Sequence, residues 1–399
     1  MSAITREKLV QTIDLVAKSD ADVWLTFVRE TTEGGDPVLP LLLEGGLTWQ
    51  SALLVSASGR KVAIVGNYDA PPLESSGDWD IVVPYVKGIR EPLLQVLDEL
   101  VPDGGKIAVN YSKNDVKADG LAHGMLLLLN GYFEGTRFEG SLVSAEEIVM
   151  PLRGIKAAAE VEAMKKAIRQ TDILFAEIAE FARVGVSERE IYDLVHSKMR
   201  ERNLGFAWDP VGDPIVNSGP NSMIGHGIPS ASITLQRGHI FHIDLGVISD
   251  GYSSDIQRSW YVCDPLEEIP IDVDNAFNAV YGAISAGAAV LRPGVPGHEV
   301  DAAARAYLVR AGYEEYHHAL GHQVGRVAHD GGAILGPTWE RYGRTPYIPV
   351  SVGEVYTLEL GIILEGRGYL GLEEMVQVEE DGLIWLTNRQ TQLMVIPCE

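Results

Sequence analysis

The sequence predicts an α/β protein of two domains, the second of which contains two similar halves. Residues 1 to about 150 alternate helical and strand patterns, which is typical of a small α/β domain. Around Pro151-Leu152-Arg153 this pattern changes, and a long amphipathic helix follows. At 399 residues the chain also exceeds the size of one ordinary hydrophobic core. We therefore expect two domains, 1–152 and 153–399.

The spacing of apolar residues predicts the elements of both domains. In the first domain we expect helices near 4–18, 91–101 and 115–130, and strands near 22–28, 51–57, 60–66 and 106–111. The long helix of the second domain has Val161, Met164, Ile168, Leu174, Ile178 and Phe181 at helical spacing. A capping-box pattern, Ser187 followed by Glu190, then predicts the start of the next helix.

An internal repeat divides the second domain into halves. Three pairs of segments are similar: 183–191 and 292–300, 204–206 and 311–313, and 238–247 and 353–362. The last pair aligns Asp244 with Glu359. Each half therefore predicts a helix, a second helix and then a β-hairpin that carries acids, and two such halves would bring their acids to one central site.

Composition excludes several classes of protein. The formal net charge is −24, which argues against binding of nucleic acid or of an anionic membrane surface. We find no run of about 18 apolar residues, so we expect no transmembrane helix. Cys263 and Cys398 are the two cysteines, which disfavours a disulfide framework and favours a reducing, cytoplasmic location.

The dipeptide Asp250-Gly251 lies between two alternating apolar runs, a strong signal for a hairpin with a two-residue turn. With that turn, the numbers of facing residues sum to 501, so Gly246 opposes Asp255. Asp244 then points to the same face as Asp255, about 7 Å away along the diagonal. The hairpin therefore predicts two carboxylates close enough to share metal ions.

A second group of acids surrounds Gly366-Arg367-Gly368. Glu359 and Glu373 share one face if the loop has an odd number of residues, whereas a two-residue turn favours Glu374, and the residues alone leave this choice open. His322 lies between glycines in a histidine-rich segment and adds an imidazole ligand. Four clustered carboxylates would repel one another without cations, and two divalent ions balance their charge. These residues therefore predict a dinuclear site that activates water.

These residues and motifs resemble the pita-bread metallopeptidases of family M24, in the branch of proline dipeptidase and aminopeptidase P. The resemblance covers nearly the whole chain: a creatinase-like α/β domain at 1–152 and a catalytic pita-bread domain with a pseudo-two-fold duplication at 153–399. Within it, residues 152–156 with Glu160 are similar to the segment that opens the catalytic domain. It implies five metal ligands, and their order selects Glu373 over Glu374: Asp244, Asp255, His322, Glu359 and Glu373.

The resemblance also implies roles and cofactors. Two divalent ions (manganese, zinc or cobalt) would be bridged by Asp255 and Glu373, and a hydroxide between them would attack the scissile carbonyl. Glu359 would carry the proton to the leaving nitrogen. His226 and His329 match the two substrate-binding histidines, and His318 matches a further histidine near the site. Arg326 stands where an apolar residue is more usual, and we take it as a candidate for binding a substrate carboxylate. The implied function is hydrolysis of the Xaa-Pro bond in dipeptides by a homodimer.

Two residues depart from the pattern usual in proline-specific members. Ile363 stands where a tyrosine is usual, and Gly371 stands where an arginine is usual. Aminopeptidase action on longer peptides and a non-peptidase or binding role on the same fold therefore remain alternatives. Residues 366–371 also match Gly-x-Gly-x-x-Gly, the dinucleotide-binding motif, but a strand pattern follows where a helix is required, which disfavours a dehydrogenase.

Overall fold

A computed structural model describes residues 3–225 and 227–398, apart from the side chain of Glu33. The chain forms two compact units, Met1–Arg153 and Gly154–Glu399. In the described part of the first unit, the helices and strands are α1 (Ala3–Lys18), β1 (Val23–Val28), α2 (Leu39–Leu42), β2 (Ser51–Ser56), β3 (Lys61–Gly66), α3 (Ala70–Ser76), β4 (Ile81–Tyr85), α4 (Arg90–Leu100), β5 (Ile107–Val109), α5 (His123–Phe133), β6 (Leu142–Ser144) and α6 (Glu146–Gly154), whose last residue belongs to the second unit.

The first unit is built on a six-stranded mixed sheet with the order β4-β3-β2-β1-β5-β6. Strand β2 runs antiparallel to both of its neighbours, and the other pairs are parallel. Every residue of β1 and β2 is buried, because apolar clusters cover both faces. Trp24 packs into one cluster and the adjacent Leu25 into the other, as the alternation of side chains along a strand requires.

The helix predicted at 115–130 begins later than the sequence indicated. Residues 116–118 form one 3₁₀ turn, capped by the Asp115 carboxylate, which accepts a hydrogen bond from the backbone N of Lys117 at 2.8 Å. Gly120 then packs so closely on Asp36 that a Cβ there would overlap its carboxylate. The chain therefore leaves helical geometry at this point, and α5 starts at His123.

The described part of the second unit contains two helix pairs and several short sheets. Its elements are α7 (Ala158–Phe181), α8 (Glu188–Glu201), β7 (Gly205–Phe206), β8 (Ile215–Ser218), β9 (Ile240–Leu245), β10 (Val247–Ser249), β11 (Tyr252–Ser253), β12 (Ile256–Val262), α9 (Ile271–Val290), α10 (Gly297–Arg310), β13 (Val355–Leu364), β14 (Gly368–Glu379), β15 (Gly382–Trp385) and β16 (Met394–Ile396). The sheet orders are β16-β12-β9-β8, β13-β14-β15 and β11-β10-β7. None of the helices in residues 3–225 and 227–398 combines the length and apolarity needed to cross a bilayer.

The two halves of the second unit follow the same order of elements. Helices α7 and α8 precede the β9–β12 hairpin, and α9 and α10 precede the β13–β14 hairpin. The capping box predicted for α8 is present: the Ser187 hydroxyl accepts a hydrogen bond from the backbone N of Glu190, and the Glu190 carboxylate accepts one from the backbone N of Ser187. Helix α10 starts after Pro296 without a side-chain cap.

The first hairpin has the register predicted from its turn. Ser249 pairs with Tyr252 and, further along, Asp244 pairs with Gln257, so both pairs of residue numbers sum to 501 (249 + 252 and 244 + 257). Asp250 and Gly251 both have positive φ, 51° and 77°, as a type I′ turn requires. The prediction that Asp244 and Asp255 point to one face follows directly from this register.

The second hairpin resolves the choice that the residues left open. Leu364 pairs with Gly368, so three residues centred on Gly366 form the loop, and Glu359 pairs directly with Glu373. Glu374 points to the opposite face, where its two carboxylate oxygens accept hydrogen bonds from the guanidinium of Arg258 at 3.2 and 3.1 Å. Glu374 is therefore the anion of a buried ion pair, and Glu373 is the acid that faces Glu359.

Candidate metal centre and active site

The two hairpins bring four acids to one place. Gln257 on β12 pairs with Asp244 on β9, and its side-chain amide reaches across to β13 and β14. Its Nε2 donates to Oε2 of Glu359 at 3.0 Å and to Oε2 of Glu373 at 3.1 Å. Asp255 lies two residues before Gln257 on the same face. Acids of both halves therefore lie close to one another around Gln257.

The backbone beside β13 carries the imidazole to these acids. The backbone N of Thr357 donates to the carbonyl of His322 at 2.9 Å, and that of Glu359 donates to the carbonyl of Leu320 at 2.7 Å. Position 321 has to be glycine, because a Cβ there would overlap the carbonyl of Thr357. This close approach explains one of the two glycines that precede and follow the histidine.

The His322 imidazole is surrounded by three carboxylates. Its Nε2 lies 3.4 Å from Oε1 of Glu359, 3.7 Å from Oδ2 of Asp255 and 4.0 Å from Oε1 of Glu373. One ligand atom from each of Asp255, His322 and Glu373 lies within 4.8 Å of the other two. Such a spacing allows a single cation to contact all three residues.

The buried acids raise one another's pKa. Burial lifts the pKa of Asp244, Asp255 and Glu373 well above the usual carboxyl range, and the charges of neighbouring acids add to each shift. Asp213, a buried acid that the sequence analysis did not select, contributes to the shifts of Asp244 and Asp255. The cluster thus places like charges in a poorly solvated site and is destabilised whenever all of them are ionised.

Glu359 behaves differently from the other three acids. Burial alone would raise its pKa, but the hydrogen bond to His322 and the neighbouring imidazoles of His318 and His329 lower it. All three histidines therefore lie near the carboxylate of Glu359. Glu359 is therefore the acid of the cluster that stays ionised most readily.

The residues fit a site for divalent cations. Oδ1 of Asp244 and Oε1 of Glu373 are buried and have no hydrogen-bond partner in the described structure. Carboxylate oxygens of this kind are seldom left unsatisfied in a folded protein. Carboxylates with one imidazole form a ligand set typical of manganese, zinc or cobalt, and cations would remove both the unsatisfied oxygens and the repulsion.

A model of a known protein family matches the part of the chain that contains this cluster. The model, "Metallopeptidase family M24", covers residues 162–380, more than half of the 399 residues. All four acids and His322 lie inside the match. The chain belongs to metallopeptidase family M24.

Relatives of this M24 peptidase include named dipeptidases. The Xaa-Pro dipeptidase of Pyrococcus furiosus is 30% identical over 250 residues, which are 62% of this chain and 67% of that protein. The crystal structure of dipeptidase PepE from Mycobacterium ulcerans is 26% identical, with a TM-score of 0.74, and covers 99% of this chain and 98% of its own. The Xaa-Pro dipeptidase structure from Bacillus anthracis (24% identical, TM-score 0.73, 98% and 99% covered) is similar in fold. The protein is thus a metallopeptidase with the pita-bread fold, which confirms the family and the fold predicted from the sequence.

The M24 chain places the remaining predicted site residues in different surroundings. The His329 ring lies 4.3 Å from the His322 ring, edge-on, and His329 is exposed. His318 is partly buried, and its Nδ1 lies 2.8 Å from the carbonyl of Ala319. His226 lies outside the described residues. The guanidinium of Arg326 stacks on the ring of Tyr252 at 5.2 Å, so part of its role is to cover the tip of the first hairpin.

The loop that carries His329 is fixed by a buried ion pair. Lys156 Nζ lies 3.1 Å from Oδ2 of Asp330, and both side chains are almost fully buried. The backbone N of Asp330 also donates to the carbonyl of Gln323 at 2.9 Å. Lys156 belongs to the segment 152–156, in which the sequence predicted the opening of the second domain. The ion pair with Lys156 therefore fixes the position of Asp330, the residue that follows His329.

A buried hydrogen-bonded chain behind the acids was missed by the sequence analysis. Nε2 of His242 lies 3.0 Å from Oε1 of Gln257, and Nδ1 lies 3.2 Å from Oδ1 of Asn217. Burial lowers the pKa of His242 to about 4, so this ring is neutral at neutral pH and its single N–H can donate to only one of the two amide oxygens. The sequence did contain one signal for Gln257. Side chains alternate along a strand, so Gln257, two residues after Asp255, lies on the same face as that acid. The chain holds the amide that contacts both glutamates.

Proposed function

We propose that this M24 peptidase hydrolyses the Xaa-Pro bond of short peptides, with dipeptides as its main substrates. The observation that carries the proposal is the convergence of four acids and one imidazole with two buried carboxylate oxygens left unsatisfied. Support for the substrate comes from relatives named Xaa-Pro dipeptidase and dipeptidase.

Two divalent cations per chain, of manganese, zinc or cobalt, are proposed as the cofactors. Their ligands would be Asp244, Asp255, His322, Glu359 and Glu373. Bound cations of this kind lower the pKa of water to about 7 and polarise a substrate carbonyl. The charge of four carboxylates and the donor types of the cluster support two ions rather than one.

The chain's own residues would move the proton and hold the peptide. Glu359, whose pKa is lowered by its histidine neighbours, would accept a proton from the attacking water and pass it to the leaving nitrogen. His329 is exposed beside His322 and would contact the substrate, together with His226 and His318. Arg326 is proposed for the substrate carboxylate on the weaker ground of its position three residues before His329.

The proposal extends to the organisation of the protein. Residues 1–152 would form a creatinase-like domain, and residues 153–399 would carry catalysis, which the placement of all five proposed ligands beyond residue 240 supports. A homodimer is proposed from the family resemblance. The free cysteines Cys263 and Cys398 support a reducing, cytoplasmic location.

The substrate is tested by comparing peptides of different length. The purified chain, loaded with manganese, zinc or cobalt, is given Ala-Pro, Ala-Pro-Ala and a methionyl peptide. We expect Ala-Pro to be cleaved fastest. Preference for Ala-Pro-Ala would indicate an aminopeptidase, and binding without cleavage of any peptide would indicate a non-catalytic member of the fold.

A matched pair of variants tests the proposed proton carrier in the same assay. Glu359→Gln removes a charge in the cluster, whereas Glu365→Gln removes one from the exposed loop of the same hairpin. We expect activity to be abolished in the first variant and retained in the second. Elemental analysis gives the metal content of each protein, and fewer than one ion per saturated wild-type chain would contradict the dinuclear site.

A further inference from the structure

Tyr369 stands on the same face of the β13–β14 hairpin as the two glutamates. Glu359 pairs with Glu373, Gly361 pairs with Gly371, and Ile363 pairs with Tyr369. Because side chains alternate along a strand, all three pairs point to one side. The face therefore begins with two acids, continues with two glycines and ends with an aromatic ring.

The ring of Tyr369 lies back over the two glycines, toward the acids. A Cβ added to Gly361 would overlap the Tyr369 hydroxyl, and one added to Gly371 would lie 2.6 Å from its Cε1. Both contacts are closer than real Cβ atoms come, so any larger residue at either position would displace the ring. This explains why glycine occupies position 371, where an arginine is usual in proline-specific members.

Tyr369 lies beside an imidazole ring and near the buried carboxylates. Its ring meets the ring of His242 edge-on at 4.8 Å. Burial raises the pKa of its hydroxyl, and the ordinary pKa of a phenol, about 10, already leaves it protonated at neutral pH. The hydroxyl makes no hydrogen bond to any residue in 3–225 or 227–398, and the side chain is only partly buried.

Two other hydrogen-bond donors near the acids, on Gln257 and Arg258, are already engaged. The amide of Gln257 donates to both glutamates, and the guanidinium of Arg258 is bound to Glu374 on the opposite face. A peptide entering an acid-lined site can offer its amine to carboxylates, but its carbonyl oxygen needs a donor. Tyr369 has such a donor available, and it pairs with Ile363, which stands where a tyrosine is usual in proline-specific members.

On the basis of the proposed peptidase function, we propose that Tyr369 is a catalytic residue whose hydroxyl donates a hydrogen bond to the oxygen of the scissile carbonyl. The bond strengthens as negative charge develops on that oxygen, so it favours the transition state over the bound substrate. The phenol thereby compensates for the groups absent at Ile363 and Gly371.

The test replaces the hydroxyl while keeping the ring. In metal-loaded Tyr369→Phe we expect kcat for Ala-Pro to fall about 100-fold, the loss typical of removing one such donor, with KM and metal content unchanged. Tyr347→Phe, which alters an exposed tyrosine of the same unit, is the control and should retain wild-type kcat.

A binding measurement gives a second readout. A phosphinic analogue of Ala-Pro carries oxygens on a tetrahedral centre, whereas a reduced-amide analogue has no oxygen at that position. By calorimetry, Tyr369→Phe should bind the phosphinic analogue about 10-fold or more weakly than wild type, and should bind the reduced amide equally well.

Two outcomes would overturn the role of Tyr369. One is a kcat for Tyr369→Phe equal to that of Tyr347→Phe, and the other is a loss of metal in step with the loss of activity, which would indicate a structural role. Failure of the proposed function is distinguishable, because it would show as a wild-type chain that cleaves none of the peptides. If wild type prefers another peptide, the two variants are compared on that peptide.

Discussion

At the scale of single residues, the acid cluster depends on neighbours that bind no metal. Gln257 is 6% exposed and is the residue through which the two halves of the second unit meet at the acids. Its amide fixes one oxygen of Glu359 and one of Glu373, which leaves the other oxygen of each carboxylate to face His322. The orientation of two proposed ligands therefore depends on a neutral side chain.

Replacing this amide should weaken metal binding. In Gln257→Leu the two glutamates lose their shared donor and His242 loses a partner, so we expect metal affinity to fall about 10- to 100-fold, the usual cost of removing a residue that orients ligands. Competition with a fluorescent chelator measures this affinity. Gln236→Leu, at an exposed position of the same unit, is the control. Equal affinity in the two variants would show that Gln257 does not orient the ligands.

At the scale of elements, the two hairpins show how much of the site the sequence could predict. The register of the first hairpin followed from Asp250-Gly251, because a two-residue turn with positive φ at both positions leaves one pairing. The second hairpin could not be assigned in this way, since Gly366 is compatible with loops of either parity. Its three-residue loop became known only from the structure.

The first turn should be sensitive to a single methyl group. Gly251 has a φ of 77°, and its Cβ would lie 3.2 Å from the guanidinium of Arg326. Gly251→Ala should therefore lower the free energy of unfolding by about 1–2 kcal/mol, the cost of left-handed backbone for a residue with a Cβ. Urea unfolding of the chelator-treated protein measures the change. Gly88→Ala, where φ is ordinary and the space around the Cβ is open, should be nearly neutral, and equal losses in both variants would contradict the strain at Gly251.

Side chains that act over long distances in sequence were not predictable. Gln257, His242 and Asn217 form one hydrogen-bonded chain, yet no short motif connects them. Tyr369 lies two residues before Gly371, and its role became visible only when its ring was seen to cover both glycines. The metal ligands could be proposed from the sequence because carboxylates and histidine are the residue types that usually bind metals. Amides and phenols carry no such signal.

At the scale of the whole molecule, the acid cluster couples stability to pH and to metal. In the folded, metal-free protein, burial and repulsion raise the pKa of Asp244, Asp255 and Glu373. The folded state therefore keeps protons that the unfolded chain releases near pH 4. These groups therefore stabilise the metal-free protein below that pH. The stabilisation is lost as the pH rises through their raised pKa values.

Metal should reverse this loss. We expect the difference in Tm between metal-loaded and chelator-treated protein to grow from about pH 5 to about pH 8, because cations compete with fewer protons as the pH rises. The lowered pKa of His242 changes stability with pH in the opposite direction. This effect is present in both samples, so most of it cancels in the difference in Tm. Differential scanning calorimetry gives both values. A difference that does not change with pH would contradict the raised pKa values.

Asp244→Asn separates the repulsion from the metal in the same experiment. The substitution keeps the shape of the side chain and removes one of the buried charges. Without metal, the variant should be at least as stable as wild type at about pH 8, since the remaining acids repel one another less. With metal it should gain less stability than wild type, because a proposed ligand has been weakened.

The unequal loops of the two hairpins break the symmetry that the duplication would otherwise impose. A two-residue turn staggers Asp244 and Asp255 along their strands, whereas a three-residue loop sets Glu359 and Glu373 level with each other. No rotation superposes a staggered pair on a level one, and among the five proposed ligands only one half supplies an imidazole. Two cations in this cluster would therefore have different ligand surroundings. They would differ in binding affinity and in reactivity, although the scaffold is duplicated.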